Sequence, residues 1–150
     1  MSTKEQIEKD LKNAMLSGDK SLVSVLRGLK SSILNVEIAQ GSREQGLQEE
    51  VVLGVLSKEA KKRQESADMY GQAGDTTRQQ AELSEKASIE KYLPKQLSDE
   101  DLNKIIDAVV VDEPVNGQNM GQIIGKVKQQ TAGTADGSRI ATLIKLRMEQ

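Results

Sequence analysis

Apolar residues recur at spacings of three and four along most of the chain, and this period predicts helices rather than strands. The first such segment runs from about Thr3 to Ser17, after which Gly18 is suited to end a helix and Asp19 to cap the next one. The second segment has a broad apolar face and stops at Gly41. The apolar positions are Ile7, Leu11, Ala14 and Met15 in the first segment, and Leu22, Val23, Leu26, Leu29, Ile33 and Val36 in the second.

Two further helices are predicted after the loop GSREQG. The third begins at about Gln48, with apolar residues in its first half and the mostly charged run KEAKKRQESADMY in its second. Gly71 and Gly74 break the chain, and a fourth helix is predicted from about Asp75 to Leu93. The apolar positions are Val51, Val52, Val55, Leu56 and Ala60 in the third helix, and Leu83, Ile89 and Leu93 in the fourth.

The stretch KYLPKQLSDEDL predicts a boundary between two packed units. Pro94 has no amide hydrogen and its ring disfavours helical backbone at Leu93, so the fourth helix must end there. Ser98 lies three residues before Asp101, which is an acidic variant of the capping box, and the acids that follow Ser98 favour the positive end of a helix dipole. A fifth helix therefore begins behind Ser98.

Two more helices complete the C-terminal part. The sixth runs from about Met120 to Gln130, and Asp136 can cap the seventh after the turn TAGTADG. With no convincing strand, the sequence predicts an all-α fold, in which an N-terminal bundle of about four helices over residues 1–96 precedes a small three-helix domain over residues 97–150. The apolar positions are Leu102, Ile105, Ile106 and Val109 in the fifth helix, Ile123, Ile124 and Val127 in the sixth, and Ile140, Leu143, Ile144 and Met148 in the seventh.

Composition narrows the chemistry available to the chain. Its 150 residues are 36% hydrophobic and 29% charged with a net charge of −2, which is typical of a folded protein. Cysteine and histidine are absent, so zinc fingers, thiol catalysis and Ser-His-Asp sites are excluded. Tyr70 and Tyr92 are the only aromatic residues, which excludes a sheet that stacks RNA bases. We predict no catalytic residue, no cofactor site and no metal site.

The N-terminal run MSTKEQIEKD lacks an apolar stretch and does not resemble a signal peptide. No apolar run approaches the ~18 residues of a transmembrane helix. We therefore expect a cytoplasmic protein with no membrane partner.

Gly117, Gly121 and Gly125 precede Lys126 and superficially resemble a phosphate loop. A Walker loop needs four residues between its glycines, followed by Lys-Ser or Lys-Thr, so this spacing does not match it. Glycines four apart on a helix favour a packing interpretation, in which a neighbouring helix approaches Gly121 and Gly125 closely.

Charge is balanced in the first part of the chain and polarised in the second. Residues 1–97 hold fifteen bases and fifteen acids, so the basic run KEAKKR, interrupted by acids, is interpreted as a solvated helix face. Residues 98–116 hold one base and six acids, whereas residues 117–150 hold five bases and two acids. Such an asymmetry suits an RNA backbone, and ordinary helix C-terminal cations explain it equally well. The five candidate nucleic-acid-binding residues are Lys126, Lys128, Arg139, Lys145 and Arg147.

Two stretches, EKYLPKQLSDEDL and MGQIIGKVKQQTAGTADGSRIATLI, resemble the GatB/YqeY family, and more closely its free-standing YqeY-like proteins. The resemblance extends through VLRGLKSSILNVEIAQG and VLSKEAKKRQESADMY and covers essentially the whole chain. In the family, the turn before the last helix commonly reads Gly, a base, Ala, and then Asp or Asn. Gly133, Ala135 and Asp136 match this turn, whereas Thr134 replaces the base and removes one potential phosphate contact.

The resemblance implies an all-helical protein whose small C-terminal domain is similar to the tail of the B subunit of a glutamine-dependent amidotransferase. That enzyme converts misacylated Glu-tRNA or Asp-tRNA, and its tail is thought to hold the tRNA while the catalytic and ATP-binding parts lie elsewhere. The resemblance also implies an association with carbon–nitrogen ligase activity that uses glutamine as amide donor. This chain has no cysteine nucleophile and no recognisable nucleotide loop for that reaction.

Three roles are compatible with these observations. The first is a non-catalytic adaptor that binds tRNA, or a tRNA-charging complex of aminoacyl-tRNA synthetase or amidotransferase proteins, through the five bases. The second is a protein–protein interaction module that docks through the charged third helix and the loop around Tyr70. The third is an accessory that stimulates glutamine-dependent amidation, and direct catalysis by the chain alone ranks last.

Overall fold

The computed structural model describes residues 1–131 and 134–149. The described residues form seven α-helices and no strand, which confirms the all-α prediction. The helices are α1 (Thr3–Ser17), α2 (Lys20–Ala39), α3 (Glu49–Gln72), α4 (Thr76–Glu90), α5 (Asp99–Asp112), α6 (Met120–Thr131) and α7 (Gly137–Met148). None of the helices in these residues is both long enough and apolar enough to cross a bilayer.

The chain divides into two compact units, Met1–Leu93 and Pro94–Gln150. The first unit contains α1 to α4, and α3 and α4 pack against each other as an antiparallel hairpin. Its core consists of aliphatic side chains from all four helices, as expected for a chain with two aromatic residues. The buried members are Ile7, Ala14, Leu26, Leu29, Ile33, Val52, Leu56, Ala60 and Ile89.

The second unit packs α5, α6 and α7 around a smaller core. Each helix contributes one apolar stripe, and Ala135 from the turn before α7 completes the cluster. The other buried members are Leu102, Ile106, Ile123, Val127, Ile140 and Ile144.

Local signals begin and end several helices where the sequence predicts. Gly18 ends α1 in the left-handed conformation, with φ of 76°. The Asp19 side chain then accepts a hydrogen bond from the Leu22 amide at 3.0 Å. At the start of α5, the Ser98 hydroxyl oxygen accepts from the Asp101 amide at 3.1 Å. The predicted caps of α2 and α5 are thereby confirmed.

The fourth helix ends three residues earlier than predicted, at Glu90 instead of Leu93. The Tyr92 and Leu93 amides donate to the carbonyls of Ile89 and Glu90, both at 3.1 Å, and so form tighter i to i+3 turns. Pro94 explains the difference because its ring disfavours helical backbone at the residue before it, and the preceding turn tightens in response.

The packing interpretation of the helical glycines is wrong. A methyl group built on Gly121 or Gly125 meets no neighbouring heavy atom within 4 Å, and both residues are exposed. The spacing of four does place them on one face of α6, but this face is turned to solvent and none of the described helices approaches it.

The three lysines of the basic run on α3 lie on a solvated face, as predicted, but its arginine does not. Lys58, Lys61 and Lys62 are exposed, whereas Arg63 is half-buried and its Nε lies 3.2 Å from Glu85 of α4. The arginine therefore helps to hold the α3–α4 hairpin together.

Candidate nucleic-acid interface

The two stretches that carry the family resemblance meet at the backbone of Leu97. The Leu97 amide donates a 2.8 Å hydrogen bond to the carbonyl of Thr134, in the turn before α7. The Leu97 carbonyl accepts a 2.8 Å hydrogen bond from the guanidinium group of Arg139. The same guanidinium lies 2.7 Å from the Asp99 carboxylate at the start of α5. We call this set of contacts the Leu97 clamp; it fastens the segment after Pro94 to the N-terminal end of α7.

Hydrogen bonds hold the residues at the end of α6 and at the start of α7. Thr131 is buried, and its hydroxyl donates to the Lys128 carbonyl at 3.0 Å. The Thr134 amide donates to the Thr131 carbonyl at 2.9 Å. Asp136 caps α7 by accepting from the Ser138 amide at 3.2 Å, as predicted. Thr134, which replaces the family's base, contributes both its backbone amide and its hydroxyl, which donates to the same Thr131 carbonyl. Gly133, the first residue of the matching pattern, lies outside the described residues.

Arg147 joins the other end of α7 to the middle of α5. Its guanidinium donates to the Asn103 carbonyl at 2.8 Å and to the Asn103 side-chain oxygen at 3.2 Å. It also forms an ion pair with Asp107. Arg147 and Arg139 thus join α7 to α5 at two places, in addition to the apolar core.

Lys126 forms an ion pair with Glu113, the residue that follows α5. The pair borders an open cavity of about 450 Å³ between α5 and α6, which Asp112 also lines. The Lys126 side chain remains 54% exposed. Its charge is therefore partly compensated, but its ammonium group is reachable from solvent.

Lys128 on α6 and Lys145 on α7 differ from the other three bases. Both side chains are exposed, and neither ammonium group has an ion pair or hydrogen bond within residues 1–131 and 134–149. Each lies in the last turn of its helix, where a cation also interacts favourably with the helix dipole. These two lysines are the candidate bases with uncompensated charge.

The five candidate residues consequently do not form one uniform basic surface. Arg139, Arg147 and Lys126 turn toward acidic partners that belong to α5 or directly follow it. The signal that could have revealed this pairing is the charge asymmetry itself. Residues 98–116 hold six acids, and three of the five bases on α6 and α7 pair with acids from that segment.

Over the described part of the chain, no group of three or more acidic side chains is arranged to hold a metal ion. A model of the family described as Yqey-like protein matches residues 4–148 of the chain. A comparison with curated proteins gives no match.

Proposed function

Because the chain belongs to the YqeY-like protein family, we propose that it is a non-catalytic helical adaptor that binds tRNA, or a complex that charges tRNA, through its C-terminal unit. Family membership relates the chain to the small helical tail of the amidotransferase B subunit. A cytoplasmic location forms part of the proposal, since that is where charged tRNA is used in translation.

The observation that carries the proposal is the exposure of Lys128 and Lys145, neither of which has a partner in the described part of the chain. A phosphate contact is most favourable for a cation that need not first give up another partner, because binding then releases counterions at no internal cost. Lys126 adds a third contact, since a solvent-exposed ion pair such as that with Glu113 contributes only about 0–1 kcal/mol and exchanges readily.

Arg139 and Arg147 act mainly as positioning residues in this proposal. Their side chains are 36% and 24% exposed, and each holds α7 against α5. They keep α7 in the orientation that presents Lys145 to solvent. Contacts of this kind read the backbone of RNA without distinguishing its bases, so a preference for a particular tRNA would require further contacts.

The proposal is tested by fluorescence anisotropy of labelled bulk tRNA titrated with the full chain between 50 and 200 mM salt. We expect weak binding that falls steeply with salt, with a slope of log K against log salt that changes by about one per lysine contact. Folded protein that fails to bind at 50 mM salt would refute the proposal.

A second candidate function is a protein–protein interaction module at the tip of the α3–α4 hairpin. Met69 is 70% exposed there, and the Arg78 guanidinium lies 5.8 Å from the centre of the Tyr70 ring. Exposed methionine is enriched at adaptable protein-binding surfaces. Copurification from native cells distinguishes the two functions. If protein partners are recovered after nuclease treatment and the variant Met69→Asp no longer recovers them, the hairpin tip is the binding surface. If RNA alone is recovered without nuclease, the first proposal is favoured.

A further inference from the structure

An open groove lies between α1 and α2 of the first unit, and we propose that it docks an acidic amphipathic helix of a partner protein. The groove contains a cavity of about 470 Å³ next to the α1–α2 turn. Ala14, Met15 and Val23 supply its apolar surface. The proposal concerns the first unit alone and does not depend on tRNA binding by the second.

Exposed apolar side chains lie at the cavity, through Met15, and at the far end of the same α2 face. Met15 is 53% exposed and Leu16 is 88% exposed at the end of α1. Leu34 and Ile38, on the C-terminal half of α2, are also exposed. Exposed large aliphatic side chains at both ends of one helix face favour a surface that an extended segment of another protein covers.

The solvent-facing stripe of α2 has the spacing of a helix-packing seam. Its positions are separated by four, three, four, three and four residues, which keeps them on one face. The stripe from Lys20 to Ile38 is about 27 Å long at 1.5 Å per residue, which suits a docked helix of about eighteen residues. Its members are Lys20, Ser24, Arg27, Ser31, Leu34 and Ile38.

The charge of the groove specifies an acidic occupant. Lys20 and Arg27 line the cavity, and Lys12 lies one turn before Met15 on α1. None of these three bases has an ion pair among the described residues. Asp19 is the adjacent acid, and its carboxylate is engaged in capping α2. Uncompensated cations beside an apolar surface attract carboxylates that flank an apolar stripe.

The same features favour a protein segment over a nucleic acid. A nucleic acid would engage the cations of the groove but would offer no apolar surface to Met15 and Val23. The apolar surface would instead face phosphates and sugars, from which it gains little. An amphipathic helix covers both the apolar floor and the basic rim.

The experiment is a panning of random 16-residue peptides, displayed on phage, against the full chain, with counter-selection on the double variant Lys20→Glu/Arg27→Glu. We expect enriched peptides to carry Asp or Glu beside apolar residues spaced three and four apart. A synthetic copy of an enriched peptide should bind the double variant at least tenfold more weakly than the unaltered chain. The control Lys58→Glu/Lys91→Glu reverses two exposed bases outside the groove and should leave binding unchanged.

A second variant tests the apolar contribution independently of charge. Met15→Gln removes an exposed apolar side chain without changing net charge, and it should weaken peptide binding at least threefold while circular dichroism shows unchanged helix content. The proposal is overturned if enriched peptides lack the acidic amphipathic pattern, if both groove variants bind as the unaltered chain does, or if equimolar bulk tRNA displaces the peptide.

Discussion

The guanidinium group of Arg139 donates a 2.8 Å hydrogen bond to the backbone carbonyl of Leu97, forty-two residues earlier in the chain. The Leu97 amide is held at the same time by the Thr134 carbonyl. Arg139, which the sequence predicts as a phosphate-binding residue, thus holds the start of α7 to the segment before α5.

Arg139→Ala is therefore expected to destabilise the second unit. The variant loses the charged hydrogen bonds to Leu97 and Asp99, which together correspond to about 2 kcal/mol. Hydrogen exchange of peptides within residues 97–149 should show faster exchange by about thirtyfold. Lys145→Ala is the control, since its ammonium group has no partner within the described residues and its exchange should stay unchanged. Equal protection in both variants would mean that the clamp contributes nothing.

The first unit contains a buried carboxylate, Glu37, which forms an ion pair with Lys4. Glu37 is 2% exposed, and its Oε1 lies 2.7 Å from the Lys4 ammonium group. Lys4→Met should destabilise the unit by about 2–3 kcal/mol in urea denaturation, because it leaves a buried charge unpaired. Lys30→Met is the matched control: Lys30 pairs at 3.7 Å with the exposed Glu8, and its loss should cost no more than about 0.5 kcal/mol.

The double variant Lys4→Met/Glu37→Leu separates charge burial from packing. Removing both charges should restore most of the lost stability, since an apolar pair of similar volume avoids the desolvation cost. If the double variant is as unstable as Lys4→Met, the loss of stability in Lys4→Met does not come from the unpaired charge of Glu37.

Gly125→Ala should stabilise the second unit by about 0.5–1 kcal/mol. The added methyl group meets open space on α6, and alanine loses less backbone entropy than glycine when a helix forms. The comparison is Gly18→Ala, which should destabilise because Gly18 has φ of +76°. Thermal unfolding midpoints that move in the same direction for both variants would contradict this account.

The contribution of Tyr92 to the free energy of unfolding is expected to depend on pH. Its hydroxyl donates a 2.6 Å hydrogen bond to Asp10, and burial together with the neighbouring Asp10 carboxylate raises the pKa of Tyr92 above its ordinary value. Because the pKa is raised in the folded state, the hydrogen bond of Tyr92 contributes its full stability below the ordinary tyrosine pKa of about 10. This stability is lost as the pH rises through the folded-state pKa. The difference in free energy of unfolding between the unaltered chain and Tyr92→Phe should therefore be constant from pH 7 to 9 and decrease above pH 10. A difference that grows with pH would be inconsistent with this hydrogen bond.

Much of the fold could be predicted because its signals are local. Gly18, Ser98 and Asp136 act through neighbours two to four residues away, so their roles are visible in the sequence. The end of α4 differs from the prediction by three residues, because Pro94 shows only where a helix cannot continue and does not show where its last turn tightens.

The sequence predicts which bases belong to the candidate site but not which partners they have. The five bases were identified from local charge, but the partners of Arg139 and Arg147 lie about forty residues away, and only the packing of α7 against α5 brings them together. The packing of the α6 glycines cannot be predicted from the sequence for a related reason. A shared face is a local property, whereas the presence of a neighbouring helix on that face is not.

The central claim is that the uncompensated lysines of the second unit hold the RNA backbone, and the most direct measurement is the affinity of the full chain for bulk tRNA at 50 mM salt in three forms. The unaltered chain and the control Lys58→Glu/Lys91→Glu should bind with dissociation constants within about twofold of each other, whereas Lys128→Glu/Lys145→Glu should bind at least about tenfold more weakly and with a shallower salt dependence. Equal affinities for all three folded proteins would contradict the claim.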